Sequence, residues 1–319
     1  MTKRLAILDD YQNAALSTAD WASIGSDVDV QAFHVPFATE DEACERLRDF
    51  EVIVAMRERT AFRGTLLKRL PKLQLLVTTG MRNASIDVAA AKEMGILVCG
   101  TRSLDYPTAE LTWALILALA RNVTREDGGM HNGKWQTTIG IGLKGKVLGV
   151  LGLGKLGSQV AAIGKAFQME VIAWSENLLA EHAQSLGVQR VAKEELFRRS
   201  DFLTIHTILS KRTRGLVGPQ DLAAMKPTAY LINTARGGVV DEAALVDALH
   251  SGQIRGAALD VFEGEPHVNP ALLDAPNLVL TPHIASAGEA TRDAMGILAI
   301  DNAAAVLAGD PPLTPVRRG

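Results

Sequence analysis

Short apolar runs alternate with more polar stretches along almost the whole chain. The runs are rich in Val, Ile and Leu and have the length of strands buried on both faces. The stretches between them carry helix-forming residues and often end near Gly or Pro. Strands that alternate with helices in this way predict parallel sheets with right-handed crossovers. The predicted strands lie at residues 5–8, 28–35, 52–55, 73–78, 96–99, 147–151, 171–174, 201–205, 229–233, 257–261 and 278–280.

The pattern also predicts where helices and one long loop lie. The helix at 107–121 is apolar on most sides, and Thr108 is its candidate N-cap. Residues 128–145 are rich in Gly and Thr and predict a loop that carries Trp135. The other predicted helices lie at residues 40–50, 65–70, 86–94, 177–186, 194–200, 222–225, 241–251 and 289–307.

One strand, turn and helix carry the motif Gly-Leu-Gly-Lys-Leu-Gly at residues 152–157. In this context Gly152 permits the turn, Gly154 lets the backbone approach a pyrophosphate, and Gly157 lets the helix pack against the sheet. The phosphates would meet the free N–H groups and the dipole of a helix N-terminus. The motif therefore predicts a dinucleotide site, and a glycine turn that only joins a strand to a helix is the alternative.

Three residues of complementary chemistry, Arg236, Glu265 and His283, each follow one of the last three predicted strands. Ligands of open parallel sheets bind at the carboxyl ends of the strands, so we expect these side chains to converge. Histidine can exchange the hydroxyl proton of a 2-hydroxy acid, and a neighbouring carboxylate favours the imidazolium and orients the ring. Arginine can hold a substrate carboxylate with its planar fork. His206 also follows a strand and is the rival candidate for the acid–base role.

Composition places this chemistry in an ordinary globular protein. The chain has 319 residues, 47% of them hydrophobic and 22% charged, which suggests two domains. A net charge of −3 argues against a nucleic-acid partner. The longest apolar run, 111–120, is too short to cross a bilayer, and the N-terminus lacks a signal-peptide pattern. Cys44 and Cys99 are interpreted as free, buried residues, which fits a reducing cytoplasm. No metal site is predicted.

Taken together, these motifs resemble the D-isomer-specific 2-hydroxyacid dehydrogenase family, which includes phosphoglycerate dehydrogenase and glyoxylate/hydroxypyruvate reductase. The resemblance covers nearly the whole chain and rests on the glycine motif, on 232–241, on 258–262 with Glu265-Pro266, and on 281–284. It implies an NAD(P)-dependent oxidoreductase that interconverts a D-2-hydroxy acid and its 2-oxo acid by hydride transfer.

The resemblance also implies an α/β architecture of two Rossmann-like, doubly wound parallel-sheet domains with a cleft between them. The substrate domain would be discontinuous and comprise residues 1–99 and 288–319. The dinucleotide-binding domain would comprise residues 100–287. Members of the family are typically homodimers, so a homodimer is expected here.

Individual roles follow from the same resemblance. His283 would be the acid/base, Glu265 would tune it, and Arg236 would anchor the substrate carboxylate. Backbone N–H groups of the loop at 79–83 would help to hold that carboxylate. The implied substrate contacts are Thr79, Gly80, Met81, Arg82, Arg236 and His283. The implied cofactor contacts are Gly152, Gly154, Lys155, Leu156, Gly157, Ser175, Glu176, Thr207, Thr234, Ala235, Arg236, Asp260, His283 and Ala285.

Two departures from the family pattern bear on specificity. Ser175 stands where NAD-preferring members usually carry Asp, which removes the carboxylate that repels the 2′-phosphate of NADP. Glu176 follows and could itself accept hydrogen bonds from the ribose, so NAD and NADP both stay open, with a slight lean to NADP. Arg57 and Arg82 follow strands of the first half and are candidates for a second anionic group of the substrate. Solvent-facing charge is the alternative for both arginines.

A non-enzymatic alternative is an NAD(H)-sensing binding protein, similar to the corepressors that resemble this family. Those proteins keep the same arginine, glutamate and histidine, so these residues do not discriminate between the two functions. The sequence shows no disordered, peptide-recruiting extension, which favours the enzyme.

Overall fold

The computed structural model describes residues 2–81, 83–102 and 104–316. The chain divides into two compact units. Unit 1 comprises Met1–Leu104 and Ser286–Gly319, and unit 2 comprises Asp105–Ala285. Each unit is built on one parallel sheet covered by helices, as the alternation of apolar runs and helical stretches predicts.

The strands of the described residues are β1 (Lys3–Ile7), β2 (Val28–Ala32), β3 (Val52–Ala55), β4 (Leu75–Thr78), β5 (Leu97–Gly100), β6 (Val147–Leu151), β7 (Glu170–Trp174), β8 (Gln189–Arg190), β9 (Phe202–Ile205), β10 (Tyr230–Asn233), β11 (Gly256–Leu259) and β12 (Leu278–Leu280). The α-helices are α1 (Glu40–Leu47), α2 (Gly64–Leu67), α3 (Val88–Glu93), α4 (Pro107–Arg121), α5 (Val123–His131), α6 (Lys155–Ala166), α7 (Ala180–Ser185), α8 (Lys193–Arg199), α9 (Pro219–Ala224), α10 (Glu242–His250), α11 (Pro270–Leu273) and α12 (Glu289–Leu307).

The sheet of unit 1 has the order β2-β1-β3-β4-β5, and all its pairs are parallel. Its central strands are buried on both faces, which explains why their sequences are continuous apolar runs. One face packs against a cluster that includes Phe50 and Phe62. The other face packs against α12 through Ala299, Ile300 and Ala303, so the end of the chain completes the core of the first unit.

The sheet of unit 2 has the order β12-β11-β10-β9-β6-β7-β8, with every pair parallel. This is the doubly wound order, in which the chain direction across the sheet reverses beside the first strand, β6. Leu148 and Val150 of β6 face one apolar cluster, and Leu151 faces the other. The carboxyl end of β6, where the glycine motif begins, therefore lies at the position where doubly wound sheets bind their ligands.

Most predicted elements lie within three residues of the observed ones, but two predictions around α4 and α5 are wrong. Thr108 is not the N-cap of α4: Tyr106 caps the helix, and Pro107 opens it, because the fixed φ of proline suits the first helical position. The region 128–145 is not entirely a loop, since α5 extends to His131.

Two further observations concern predicted properties of the whole chain. Across the residues that the structure describes, none of the helices has the length and apolar character that a bilayer crossing needs. Both cysteines are free; Cys99 is buried as expected, whereas Cys44 is only half-buried.

Candidate active site

The glycine motif forms the turn between β6 and α6. Gly152 has φ +104°, a left-handed conformation that a side chain would disfavour. A Cβ on Gly157 would lie 2.1 Å from the carbonyl oxygen of Gly152, so only glycine permits this contact between helix and turn. Gly154 caps α6 without a side-chain hydrogen bond, and beyond the adjoining backbone no atom of the described residues would lie within 4 Å of a Cβ there. The first turn of α6 is thus open to an anion, and the residues present fit a dinucleotide pyrophosphate.

Gly157 and Gly154 make a matched pair for separating folding from cofactor binding. Gly157→Ala is expected to lower the free energy of unfolding by about 3 kcal/mol because the new methyl group overlaps the Gly152 carbonyl. Gly154→Ala is expected to leave stability within about 0.5 kcal/mol, yet to weaken NADH binding by blocking the approach of the phosphates. Denaturant unfolding and NADH fluorescence titration measure the two effects. Equal stability of the two variants would contradict this account of the turn.

The predicted cofactor residues follow the carboxyl ends of strands of unit 2, which lie along one edge of its parallel sheet. Gly152 joins two neighbouring strand ends directly. Its N–H donates to the Trp174 carbonyl at 2.8 Å, and a Cβ on Gly152 would lie 2.9 Å from the backbone of His206. Beyond these contacts, Ser175 and Thr207 are half-buried, Glu176 is exposed, and Lys155 pairs with Asp105 at 2.8 Å.

His283 and Glu265, predicted from separate strand ends, are in direct contact. The ring Nδ1 of His283 lies 2.6 Å from Oε2 of Glu265, and both side chains are largely buried. The other carboxylate oxygen, Oε1, accepts a hydrogen bond from the Phe262 N–H at 2.8 Å. The carboxylate is therefore fixed by the backbone on one side and orients the imidazole on the other.

The pKa of Glu265 lies below its ordinary value through a balance of opposing effects. Burial raises this pKa, but the hydrogen bond and the charge of His283, the Phe262 N–H and the charge of Arg236 together outweigh burial. The Glu265 side chain is therefore a carboxylate at neutral pH and can stabilise a positive charge on the ring beside it.

Asp260 positions the segment that carries His283. Its buried carboxylate accepts hydrogen bonds from the Thr281 hydroxyl at 2.7 Å, the Ile284 N–H at 2.8 Å and the Ala285 N–H at 2.9 Å. Burial raises the pKa of Asp260, and these hydrogen bonds oppose that rise only in part. The sequence predicts Asp260 within a strand, but the residue lies just after β11. Its contacts with both sides of His283, which has φ +52°, hold that residue in its left-handed conformation.

Arg236 lies on a loop held by Asn233 and by glycine. The buried Asn233 side chain donates to the Arg236 carbonyl at 3.0 Å and accepts from the Ala235 N–H at 3.0 Å. A Cβ on Gly237 would lie 2.0 Å from the Phe262 carbonyl carbon, so the Arg236 loop packs directly on the loop that leads to Glu265. The Arg236 guanidinium donates to the Ala235 carbonyl at 2.7 Å and acts electrostatically on Glu265. The structure thus brings the predicted arginine, glutamate and histidine together.

His206, the rival histidine, has a different environment. Both of its ring nitrogens are buried and lack a hydrogen-bond partner among the described residues. Burial lowers the pKa of His206 to about 4, so its ring is neutral at physiological pH. Without a carboxylate to orient it, this ring is the weaker candidate for acid–base chemistry.

The predicted substrate loop lies in unit 1, after β4. Thr79 is buried, and its N–H donates to the Ala55 carbonyl at 3.0 Å. Gly80 has φ +103°, and its N–H donates to the Thr101 hydroxyl at 3.1 Å. These two N–H groups are therefore engaged within unit 1, whereas Met81 is exposed at its surface. Arg82 lies outside the described residues.

Comparison with known proteins identifies the family. The NAD-binding domain of the D-isomer-specific 2-hydroxyacid dehydrogenases matches residues 113–285. The chain belongs to this family. It is an enzyme that acts on the CH–OH group of 2-hydroxy acids, and its NAD-binding domain supports the use of NAD(H). The predicted family and fold are confirmed.

Named relatives and solved structures agree with this membership. Glyoxylate reductase of Aeropyrum pernix is 43% identical over 79% of this chain and 79% of the relative. D-3-phosphoglycerate dehydrogenase of Methanocaldococcus jannaschii is 39% identical over 85% of this chain, which spans 52% of that relative. Phosphoglycerate oxidoreductase of Vibrio cholerae has a TM-score of 0.92 at 35% identity, covering 97% of this chain and 100% of that one. A glyoxylate reductase of Paecilomyes thermophila has a TM-score of 0.78 at 31% identity, covering 99% of each chain.

Proposed function

We propose that Arg236, Glu265 and His283 perform the reduction of a 2-oxo acid to its D-2-hydroxy acid, and the reverse oxidation. The observation that carries this proposal is the 2.6 Å contact between His283 Nδ1 and Glu265 Oε2. Because Nδ1 is engaged by the carboxylate, Nε2 is the ring nitrogen left to face a substrate oxygen. NADH, when bound, supplies the hydride that the 2-oxo carbon receives.

Each of the three residues has a separate part in the proton transfer. The protonated ring donates from Nε2 to the 2-oxo oxygen as that oxygen becomes a hydroxyl, and it withdraws the same proton in the oxidation. Glu265 keeps the ring oriented and offsets its positive charge. The Arg236 fork binds the substrate carboxylate and fixes the 2-oxo group against the ring nitrogen. We assign cofactor binding to unit 2 and substrate specificity to unit 1.

A panel of 2-oxo acids tests the reaction and its alternative. Glyoxylate, hydroxypyruvate, pyruvate, phosphohydroxypyruvate and phenylpyruvate are each mixed with the protein and with NADH or NADPH. Loss of nicotinamide absorbance with at least one acid is the expected result. Cofactor binding without turnover of any acid would instead favour the NAD(H)-sensing protein. The relatives named glyoxylate reductase and phosphoglycerate dehydrogenase place glyoxylate and phosphohydroxypyruvate first in the panel.

The cofactor proposal is that Ser175 lets the enzyme accept NADP as well as NAD. Ser175 directly follows β7 and carries no charge that would repel a 2′-phosphate. Ser175→Asp is expected to lower kcat/KM with NADPH at least tenfold while the value with NADH changes little. The new carboxylate would repel the 2′-phosphate that only NADPH carries. Steady-state kinetics with both cofactors measure the ratio. Equal loss with NADH and NADPH would show that the side chain does not select between them.

We further propose a homodimer formed through the segment 123–139. The nine-residue helix α5 has no buried residue, although a helix of that length is marginal in water without packing. The segment also exposes Trp135 by 74% and Ile139 by 89%, which is unusual for large apolar side chains. A second copy of the chain would cover both features.

Ile139→Asp is expected to convert the dimer to a monomer, because it places a charge in the proposed apolar contact. Light scattering coupled to size-exclusion chromatography gives the mass directly. Leu179→Asp is the matched control, since Leu179 is 68% exposed on a different part of unit 2. A monomeric wild type, or an Ile139→Asp variant that remains a dimer, would overturn this assignment.

A cytoplasmic location is the proposal that best fits the cysteines. Cys44 and Cys99 are both free thiols, as proteins of a reducing compartment generally have. Fractionation of cells that express the native chain tests this proposal.

A further inference from the structure

Unit 1 has a switch point of its own. Its strand order, β2-β1-β3-β4-β5, reverses between β1 and β3, and open α/β sheets bind ligands outside the carboxyl ends of strands at such a point. The segment that follows β1 comprises residues 8–12, and the segment that follows β3 comprises residues 56–60. A ligand of unit 1 is therefore expected to contact these two segments.

Two arginine side chains meet at this point from different parts of the chain. Arg59 donates to the Asp9 carbonyl at 2.9 Å, and its guanidinium lies 4.6 Å from the centre of the Tyr11 ring. Arg292, in the second turn of α12, donates to the Gln12 side chain at 2.9 Å and contacts the sulfur of Met56 at 3.4 Å. Arg59 thus belongs to the segment after β3 and contacts the segment after β1, and Arg292 contacts both segments.

The charges of Arg59 and Arg292 interact with the nearby carboxylates of Asp9 and Asp10, but neither arginine forms an ion pair with them. Among the side chains that the structure describes, no carboxylate lies within 4 Å of Arg292. Burial lowers the pKa of Arg292, the charge of Arg59 lowers it further, and Asp10 opposes both effects. Two guanidinium groups that repel each other in a partly buried setting are the arrangement that a bound anion stabilises.

The nearby carboxylates are committed to other groups. Asp10 accepts hydrogen bonds from the backbone N–H groups of Ala14 and Ala15, both at 3.1 Å. Asp9 accepts from the hydroxyls of Thr60 at 2.8 Å and Tyr11 at 3.2 Å. These carboxylates hold the two segments in place and lie beside the arginines without forming an ion pair with Arg292.

We propose that Arg59 and Arg292 bind an anionic group, a carboxylate or a phosphate, at the switch point of unit 1. The two planar forks supply the donors that carboxylate and phosphate oxygens require. Tyr11 packs against Arg59, and Met56 contacts Arg292. The anion is either a free ion or a second anionic group of the substrate. This site differs from one built on Arg57, whose guanidinium packs over Gly80.

Calorimetric titration of the full chain with inorganic phosphate, and separately with malonate, tests the site. Saturable binding of at least one anion is expected for the wild type and for Arg48→Gln, which removes an exposed charge elsewhere in unit 1. Arg59→Gln and Arg292→Gln are each expected to weaken that binding at least tenfold. Absence of saturable binding to the wild type, or equal binding by all four proteins, would overturn the proposal.

A second variant guards against misfolding, since Arg292 contacts the core-lining Met56. Arg292→Lys keeps the charge but loses the fork, so it is expected to bind the anion with intermediate affinity. Thermal unfolding of every variant is measured alongside. An Arg292→Lys protein that unfolds like the wild type and binds as tightly would show that the fork is not used.

Competition distinguishes the two sources of the anion. If the anion is part of the substrate, phosphate raises the KM for phosphohydroxypyruvate but not for glyoxylate, and Arg292→Gln does the same. If the ion is free, phosphate binds without changing either KM. Both results support the site, and the direct titration does not rest on the proposed reaction. Glyoxylate turnover by Arg292→Gln then reports on that reaction separately.

Discussion

Replacing His283 by Asn is expected to lower kcat by about 100- to 10,000-fold, the range that general acid–base catalysis contributes. Asparagine preserves a polar group at the place of Nδ1, so Glu265 keeps a partner, but it removes the nitrogen that exchanges the proton. The Asp260 hydrogen bonds that hold the segment come from Thr281, Ile284 and Ala285, and none depends on the histidine ring. The fold and cofactor affinity should therefore persist.

The matching measurements separate chemistry from binding and folding. Turnover is followed at saturating 2-oxo acid, NADH affinity by fluorescence titration, and stability by thermal unfolding. His250→Asn, at the exposed end of α10, is the control for loss of a histidine as such. Turnover by His283→Asn close to that of His250→Asn would remove His283 from the mechanism and return attention to His206.

Glu265 is the reason for proposing His283 rather than His206 as the acid–base group. Both histidines follow strands of the same sheet, and the sequence pattern does not distinguish them. The difference is the carboxylate 2.6 Å from His283, whereas neither ring nitrogen of His206 has a hydrogen-bond partner in the part of the chain that the structure describes. That contact joins residues 18 positions apart, so it depends on how two loops pack and not on any local pattern.

The sequence predicted the sheets and the glycine motif well because their determinants are local. The runs at β3, β6 and β12 are apolar over their whole length, and β3, β6 and β12 occupy the predicted residues. Gly152 is required by its φ of +104° and Gly157 by its contact with the Gly152 carbonyl, so a motif of six residues signals the turn. The order of the strands then follows from the right-handed crossover rule and the doubly wound pattern.

What could not be predicted depends on contacts between distant residues. The Asp260 clamp on the His283 segment joins the exits of two strands, and the sequence indicated only a cofactor contact for Asp260. The sequence does not distinguish Gly237 from other loop glycines. In the structure a Cβ at this position would lie 2.0 Å from the Phe262 carbonyl carbon. The pairing of Arg59 with Arg292 crosses more than two hundred residues, so no spacing in the sequence signals it. Asp260 and Gly237 belong to the candidate site, which is why site geometry was harder to predict than the fold.

Substitution of Arg236 is expected to damage substrate binding and turnover together. A fork that donates two charge-assisted hydrogen bonds, worth about 1.5–3 kcal/mol each, corresponds to about 100- to 10,000-fold in kcat/KM for Arg236→Gln. Arg236→Lys keeps the charge but only one donor direction, so kcat/KM should fall about tenfold to a hundredfold. Arg212→Gln, an exposed arginine elsewhere in unit 2, should leave kcat/KM unchanged.

The cofactor provides a check that the Arg236 effect lies at the substrate. Asn233 holds the loop through the carbonyl of Arg236 and the N–H of Ala235, both backbone groups, so Arg236→Gln should keep the loop in place. NADH affinity is then expected to change by less than threefold while the KM for the 2-oxo acid rises. Free guanidinium added to Arg236→Ala should restore part of the lost rate, because it supplies the planar cation that the substrate carboxylate has lost. A large fall in NADH affinity with an unchanged KM for the acid would move Arg236 from the substrate to the cofactor, and the proton-transfer geometry would then need another carboxylate anchor.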